Sequence, residues 1–235
     1  MSENLIEAKS LTKIFGEGDS AVTAVNHMDF RFASGELVVI LGQSGAGKTT
    51  LLNLLGGMES ATSGDLLYGE DNVAHFTKKQ LTEYRRKKVG FVFQFFNLMP
   101  NLTAKENVEI ATELTPESLE PETVLRQVGL GDRFDYFPAQ LSGGEQQRVS
   151  IARAIAKNAD LILCDEPTGA LDYATGKEIL TLLSQQAKEA GKTVVIVTHN
   201  SALSAMADHV LRIRNGEIIS DEYSKNPTPI SEIEW

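Results

Sequence analysis

The stretch Gly42-Gln43-Ser44-Gly45-Ala46-Gly47-Lys48-Thr49-Thr50, GQSGAGKTT, decides how the chain must be read. It fits G-x-x-x-x-G-K-[ST], with Gly42, Gly47, Lys48 and Thr49 at the fixed positions, and the apolar run Leu37-Val-Val-Ile-Leu41 leads directly into it. Beyond Thr50, Leu51, Leu52, Leu54 and Leu55 recur as one face of a helix. Strand, glycine-rich loop and helix in that order set bare backbone N–H groups at a helix N-terminus, where anions bind. The glycines let phosphate oxygens approach the backbone. Lys48 offers a point charge to β- and γ-phosphates, and Thr49 a hydroxyl to Mg²⁺. A glycine-rich turn before a surface lysine is the alternative, and the flanking strand and helix weigh against it.

At 235 residues the chain has room for one large α/β domain, or a domain with an inserted lobe. Its 42% hydrophobic and 23% charged residues exclude wholesale disorder and fibrous structure. A formal charge of −10 argues against a broad nucleic-acid-binding face and against direct adhesion to anionic lipid. The basic run Arg85-Arg86-Lys87-Lys88 reads as a solvated helix end, with a local basic patch as the alternative. Cys164, the single cysteine, lies in an apolar run and is expected to be a small core residue in a reducing compartment. MSENLIEAK has no leader character, and no stretch approaches the roughly 18 apolar residues of a membrane span. A chain soluble by itself is therefore expected, with any membrane role supplied by a partner.

Ile6, Ala8, Leu11 and Ile14-Phe15 predict a first strand and Val22 to Phe32 a second, an antiparallel start around the turn at residues 16–20. Phe15 either offers a ring face to a purine or fills the core. A strand is expected over residues 65–68, a helix from about Lys78 to Lys87, and an apolar strand from Val89 that stops at Gln94. Thr103 with Glu106 reads as a capping box, and a helix restarts near Pro121 after a solvated, glutamate-rich loop. With no internal repeat or low-complexity linker, the region from about Gln94 to Ser142 reads as a helical lobe inserted into one α/β domain.

In LSGGEQQRVSIARAIAKN, residues 141–158, Ser142 is an N-cap with Glu145 three residues on. Gly143 and Gly144 directly after the cap leave helix N–H donors bare, a second anion-seeking end. Leu161-Ile-Leu-Cys-Asp165-Glu166 closes an apolar strand on two carboxylates. Asp165 suits support of a Mg²⁺ shell, and Glu166 suits orientation or deprotonation of an attacking water. A helix is expected from Tyr173 to Glu189. The buried strand Thr193 to Thr198 then delivers His199 to the carboxyl edge of the sheet, where α/β proteins bind ligands. Asn215-Gly216 marks a hairpin, and a tail over 221–235 is expected to lack regular structure, with Ile230, Ile233 and Trp235 docking on the body.

Taken together, GQSGAGKTT, Gln94, LSGGEQQ, LILCDEP, Ala170-Leu-Asp172 and His199 resemble the nucleotide-binding subunit of ATP-binding cassette (ABC) transporters, collinear over about Leu5 to Ile219. The resemblance implies an α/β P-loop cassette over residues 1–220. It would combine a mixed core sheet and an antiparallel β subdomain (about 1–93 and 159–220) with an inserted α-helical subdomain (about 95–158). It implies ATP and Mg²⁺ as ligands and two copies pairing head to tail. Ser142, Gly143, Gly144 and Glu145 of one copy would then cap the γ-phosphate held by Lys48 of the other. It places Phe15 at the adenine-stacking position, where tyrosine is more familiar, and Asp172 in a loop across the dimer seam. Glu166, His199, Gln94 and Lys48 form the implied catalytic set, and Thr49, Gln94 and Asp165 the implied metal set.

FQFFNLMPNLTAKENV, and DEPTGALD with Thr175-Gly176 beyond it, look like the MacB and LolD branch. That branch implies an integral-membrane permease with an extracytoplasmic domain as partner, a seat on the cytoplasmic face of the membrane, and no nucleic acid. Phe95-Phe96 and Leu98-Met99 then suit either a groove for a permease helix or core packing of the lobe. A regulator of cell-wall hydrolases similar to FtsE would carry much the same cassette. Soluble cassettes of translation or repair differ, since they carry a second cassette or a long coiled-coil insertion.

Overall fold

The computed structural model describes residues 4–113 and 115–234. In chain order the strands are β1 (Asn4–Phe15), β2 (Val22–Ala33), β3 (Leu37–Leu41), β4 (Ser63–Tyr68), β5 (Asp71–Asn72), β6 (Val89–Val92), β7 (Leu161–Asp165), β8 (Thr193–Thr198), β9 (His209–Arg214) and β10 (Glu217–Tyr223). The α-helices are α1 (Lys48–Leu55), α2 (Lys78–Lys88), α3 (Ala104–Thr112), α4 (Pro121–Gln127), α5 (Gly143–Ala156) and α6 (Tyr173–Lys188).

β3, which leads into the glycine-rich loop, is buried at every position, as a strand covered on both faces must be. It lies inside a sheet of order β10-β9-β3-β8-β7-β6. All its pairings are parallel except the antiparallel β9–β10 hairpin, so the sheet is mixed. A second, antiparallel sheet has order β2-β1-β4-β5. Successive residues of β3 and β8 point to opposite faces. Val39, Val194 and Ile196 therefore join the core beneath α3, α4, α5 and α6, whereas Val38, Ile40, Val195 and Val197 join the core shared with α1 and the antiparallel sheet. The capping boxes expected at Thr103 and Ser142 both form, and a further one forms at Thr77. No helix among the described residues is long and apolar enough to cross a membrane.

The tail differs from its expectation. β10 runs on to Tyr223, because Asp221 and Tyr223 pair with Leu211 and His209 across the hairpin. A 3₁₀ turn forms at Ile230–Glu232. Lys177 Nζ and the Tyr173 hydroxyl, both on α6, donate to the carbonyls of Ser231 and Ile233, and Ile233 is buried. Trp235 lies outside the described residues.

His209 fastens this hairpin. Its side chain is fully enclosed, with Nε2 2.7 Å from Asp221 Oδ1 and Nδ1 3.6 Å from Glu36 Oε2. It stacks on Tyr223 at 4.0 Å and meets Phe32 edge-on at 5.5 Å. Burial disfavours its charge, but the Glu36 and Asp221 carboxylates outweigh burial and raise its pKa. A pKa raised on folding contributes stability that is complete below the unfolded value, near 6.5, and is lost as pH rises through the folded value. The stability gap between the native chain and His209→Gln is therefore expected to be widest below about pH 6.5 and to shrink in alkali. Urea midpoints for both chains across that range check it, and a gap independent of pH would contradict it.

Candidate active site

A cleft of about 1300 Å³ opens at the carboxyl ends of β3, β7 and β8, lined by residues 42–50, Gln94, Asp165, Glu166 and His199. The loop takes its shape from backbone that only glycine tolerates. Gly47 has φ of 100°, and a Cβ there would lie 2.1 Å from the Ala24 carbonyl oxygen. At Gly42 a Cβ would come within 2.5 Å of the Ile213 carbonyl. The Gly216 N–H donates to the Ala46 carbonyl at 3.0 Å, so the β9–β10 turn braces the loop. Lys48 Nζ is folded back, donating to the carbonyls of Gly42 at 2.8 Å and Gln43 at 3.0 Å. These are neutral acceptors. An anion in the loop would replace them with stronger, charge-assisted bonds.

At the far end of the loop, Thr49 Oγ1 donates to Asp165 Oδ2 at 3.4 Å. Burial, and then the neighbouring Glu166 charge, hold the Asp165 carboxyl above its usual range, and Thr49 and Lys48 partly offset this. Glu166 sits at φ of 45°, a left-handed conformation uncommon for a non-glycine residue. Its Oε1 accepts the His199 N–H at 2.9 Å and lies 2.7 Å from His199 Nδ1, while its Oε2 accepts the Thr198 hydroxyl at 2.8 Å. Among the described residues no group of three or more His, Cys, Asp or Glu could cage a metal. A hydroxyl and one carboxylate fit Mg²⁺, which is held by one or two protein ligands together with phosphate oxygens and water.

Gln94 reaches the cleft, and its Nε2 lies 3.6 Å from where a Gly169 Cβ would be. The loop beyond it is anchored from α5. Arg153 donates to the carbonyls of Asn97 at 2.6 Å and Phe96 at 2.9 Å, and both residues are left-handed, at φ of 49° and 58°. Phe95 is exposed and Leu98 packs on the core, so the apolar run after Gln94 divides between surface and interior.

Other residues singled out from the sequence lie off the cleft. Phe15 is 40% exposed beneath Lys13 Nζ, and its β-ladder partner Val22 is the residue that lines the cleft. Ser142 Oγ accepts the Glu145 N–H, and Glu145 accepts the Ser142 N–H and pairs with Arg133. Asp172 caps α6 through the Thr175 N–H and hydroxyl. A Cβ on Gly144 would stand 2.6 Å from Thr175 Cγ2, so the starts of α5 and α6 touch, and Arg148 bridges to Glu178 at 3.1 Å behind them. The Ser142 helix end and the Asp172 loop therefore form one face apart from the loop at Lys48.

Sequence reasoning missed residues 22–24 and 212–216, which wall the cleft. The Asn215-Gly216 turn was legible, but its position against the loop depends on contacts distant in sequence, such as the Asn26 N–H donating to the Gly216 carbonyl at 2.8 Å.

A phosphate loop beside paired acids on a mixed sheet defines an α/β nucleotide-binding protein, here with a second capped helix end outside the cleft. Residues 25–169 match the family model described as ABC transporter. The chain is 42% identical over 229 residues to an uncharacterized ABC transporter ATP-binding protein of Mycobacterium tuberculosis, covering 95% of this chain and 92% of that one. It is 41% identical to the macrolide export ATP-binding/permease protein MacB of Escherichia coli over 97% of this chain, and spans 35% of MacB's length. The dimeric, post-hydrolysis structure of the ATP-binding cassette MJ0796 bound to ADP and Pi superposes with a TM-score of 0.86 at 38% identity, covering 94% of this chain and 99% of that one. The chain belongs to the ABC transporter family, as its ATP-binding cassette.

Proposed function

We propose that this chain hydrolyses ATP as the energy-coupling subunit of a membrane complex of MacB or LolD type, closing head to tail with a second copy around two Mg²⁺-ATP. The observation that carries this is the Glu166 carboxylate, held in the cleft by the Thr198 hydroxyl, the His199 N–H and the His199 ring. The loop from Gly42 to Thr50, with Lys48, binds the phosphates, and Thr49, Asp165 and Gln94 hold Mg²⁺, which supplies charge neutralisation when bound. Glu166 takes the proton of the attacking water, and His199 orients Glu166. Val22, on the cleft wall, meets the adenine, with its ladder partner Phe15 beside it. Ser142, Gly143, Gly144, Glu145 and Asp172 do not line their own cleft, which suits a role on the nucleotide of a second copy.

MJ0796 is a dimer and MacB joins a permease to its ATP-binding part, which supports both partners for this chain. The permease would carry the extracytoplasmic domain and the specificity, with the cassette at the cytoplasmic face and Phe95 exposed toward it. The test is a pull-down from native membranes with tagged Glu166→Gln chain, in Mg²⁺-ATP and without nucleotide. A multi-span permease with a large extracytoplasmic domain is expected to be retained. Recovery of ribosomal or DNA-associated proteins alone would overturn the reading.

A further inference from the structure

Thr198 ends β8, is 1% exposed, and belongs to none of the roles assigned above. Its hydroxyl accepts the Asn200 N–H at 3.1 Å and donates to Glu166 Oε2 at 2.8 Å. The direction of the second bond follows from its partner: an ionised carboxylate can only accept, so the hydroxyl proton goes to Glu166 while an oxygen lone pair takes the Asn200 N–H. On the other carboxylate oxygen, Oε1, the His199 N–H and ring Nδ1 converge at 2.9 and 2.7 Å. Oε1 thus has two partners and Oε2 has one, so Oε2 keeps the larger capacity to accept a further hydrogen. His199 holds Oε1 alone, so among the described hydrogen bonds the Thr198 hydroxyl is what fixes Oε2 and hence the rotation of the carboxylate plane.

We propose that Thr198 is a positioning residue for hydrolysis: its hydroxyl aims Glu166 Oε2 so that the remaining lone pair receives the proton of the attacking water. The inference rests on the reading of Glu166 as proton acceptor. In the step served, the water oxygen bonds to the terminal phosphorus. The bond from that phosphorus to the bridging oxygen breaks, its electron pair leaves with ADP, and the water proton passes to Oε2. Thr198 touches neither water nor nucleotide. It acts by holding one carboxylate oxygen at a fixed angle, which is how a catalytic group gains from pre-set orientation.

The test compares Thr198→Val, Thr198→Ser and Glu166→Gln in the full chain with Mg²⁺-ATP. Loss of a hydrogen bond to a charged group predicts a kcat lowered about 10- to 100-fold in Thr198→Val. KM and ATP affinity should stay within about twofold, and Thr198→Ser should restore kcat. In the nucleotide-free protein the Glu166 side-chain carboxylate ¹³C resonance, assigned by its absence in Glu166→Gln, should move in the valine variant and return in the serine variant. If the valine variant fails to fold, Thr198→Ala takes its place.

A hydroxyl-free variant with native kcat, alongside an inactive Glu166→Gln, overturns the role of Thr198 alone. Failure of serine to restore kcat does the same. A Glu166→Gln chain that hydrolyses ATP at the native rate overturns the reading of Glu166, and this proposal with it.

Discussion

Glu166→Gln is expected to retain ATP binding and to lose hydrolysis by about 10²- to 10⁴-fold, the range that general-base catalysis supplies. The substitution keeps the shape of the side chain and removes its ability to take a proton. It also replaces one acceptor oxygen by an NH₂ group, which opposes the His199 N–H donor against donor if placed there, or turns the Thr198 hydroxyl from donor to acceptor if placed on that side. Lys48, Thr49 and Asp165 are untouched, so binding survives and the closed dimer should accumulate. Phosphate release measured with the assembled complex, with size-exclusion chromatography in ATP, checks both halves. Hydrolysis within about threefold of native would refute the assignment of Glu166.

Gly47→Ala carries the largest expected loss of stability. A left-handed backbone costs an L-residue about 1–2 kcal/mol. Here the added Cβ would also stand 2.1 Å from the Ala24 carbonyl oxygen, a backbone atom of β2 flanked by the ladder pairs at Thr23 and Val25. Strain and collision together put the penalty at roughly 3 kcal/mol or more, with ATP binding lost because the start of α1 must move. Gly45→Ala is the control. Gly45 has φ of 79° but nothing within 4 Å of its Cβ position, so it should pay for the backbone conformation alone. Urea denaturation of the two variants decides the matter, and equal losses would show that the collision at Gly47 is relieved.

Local chemistry made much of this legible in advance. The run from Leu37 to Leu55 contains its strand, loop and helix within a few residues of one another, and Thr103 and Ser142 meet their capping partners three positions on. The paired acids at Asp165 and Glu166 follow an apolar strand, and His199 follows another, so the topology of a parallel sheet alone brings them to one edge. What sequence could not show depends on distant chain. The onward course of β10 needed His209 to meet Asp221, and the wall made by residues 212–216 needed β9 beside β3. Arg153 reads as one more polar residue on an amphipathic helix, yet it is half-buried and donates to the carbonyls of Phe96 and Asn97. Thr198 reads as a strand end, and only the fold reveals what its hydroxyl faces.

The contact between Gly144 and Thr175, backed by Arg148 and Glu178, bears on the thermodynamics of pairing. Two loops offered independently to a second molecule would each surrender conformational freedom when it docked. Here the Ser142 and Asp172 termini are already locked together, so a partner meets a single preorganised facet and that ordering entropy is spent during folding. Loosening the facet at the Arg148–Glu178 bridge should weaken pairing while leaving Ser142, Gly143, Gly144, Glu145 and Asp172 unchanged. Pairing strength would then be tunable from behind the facet itself.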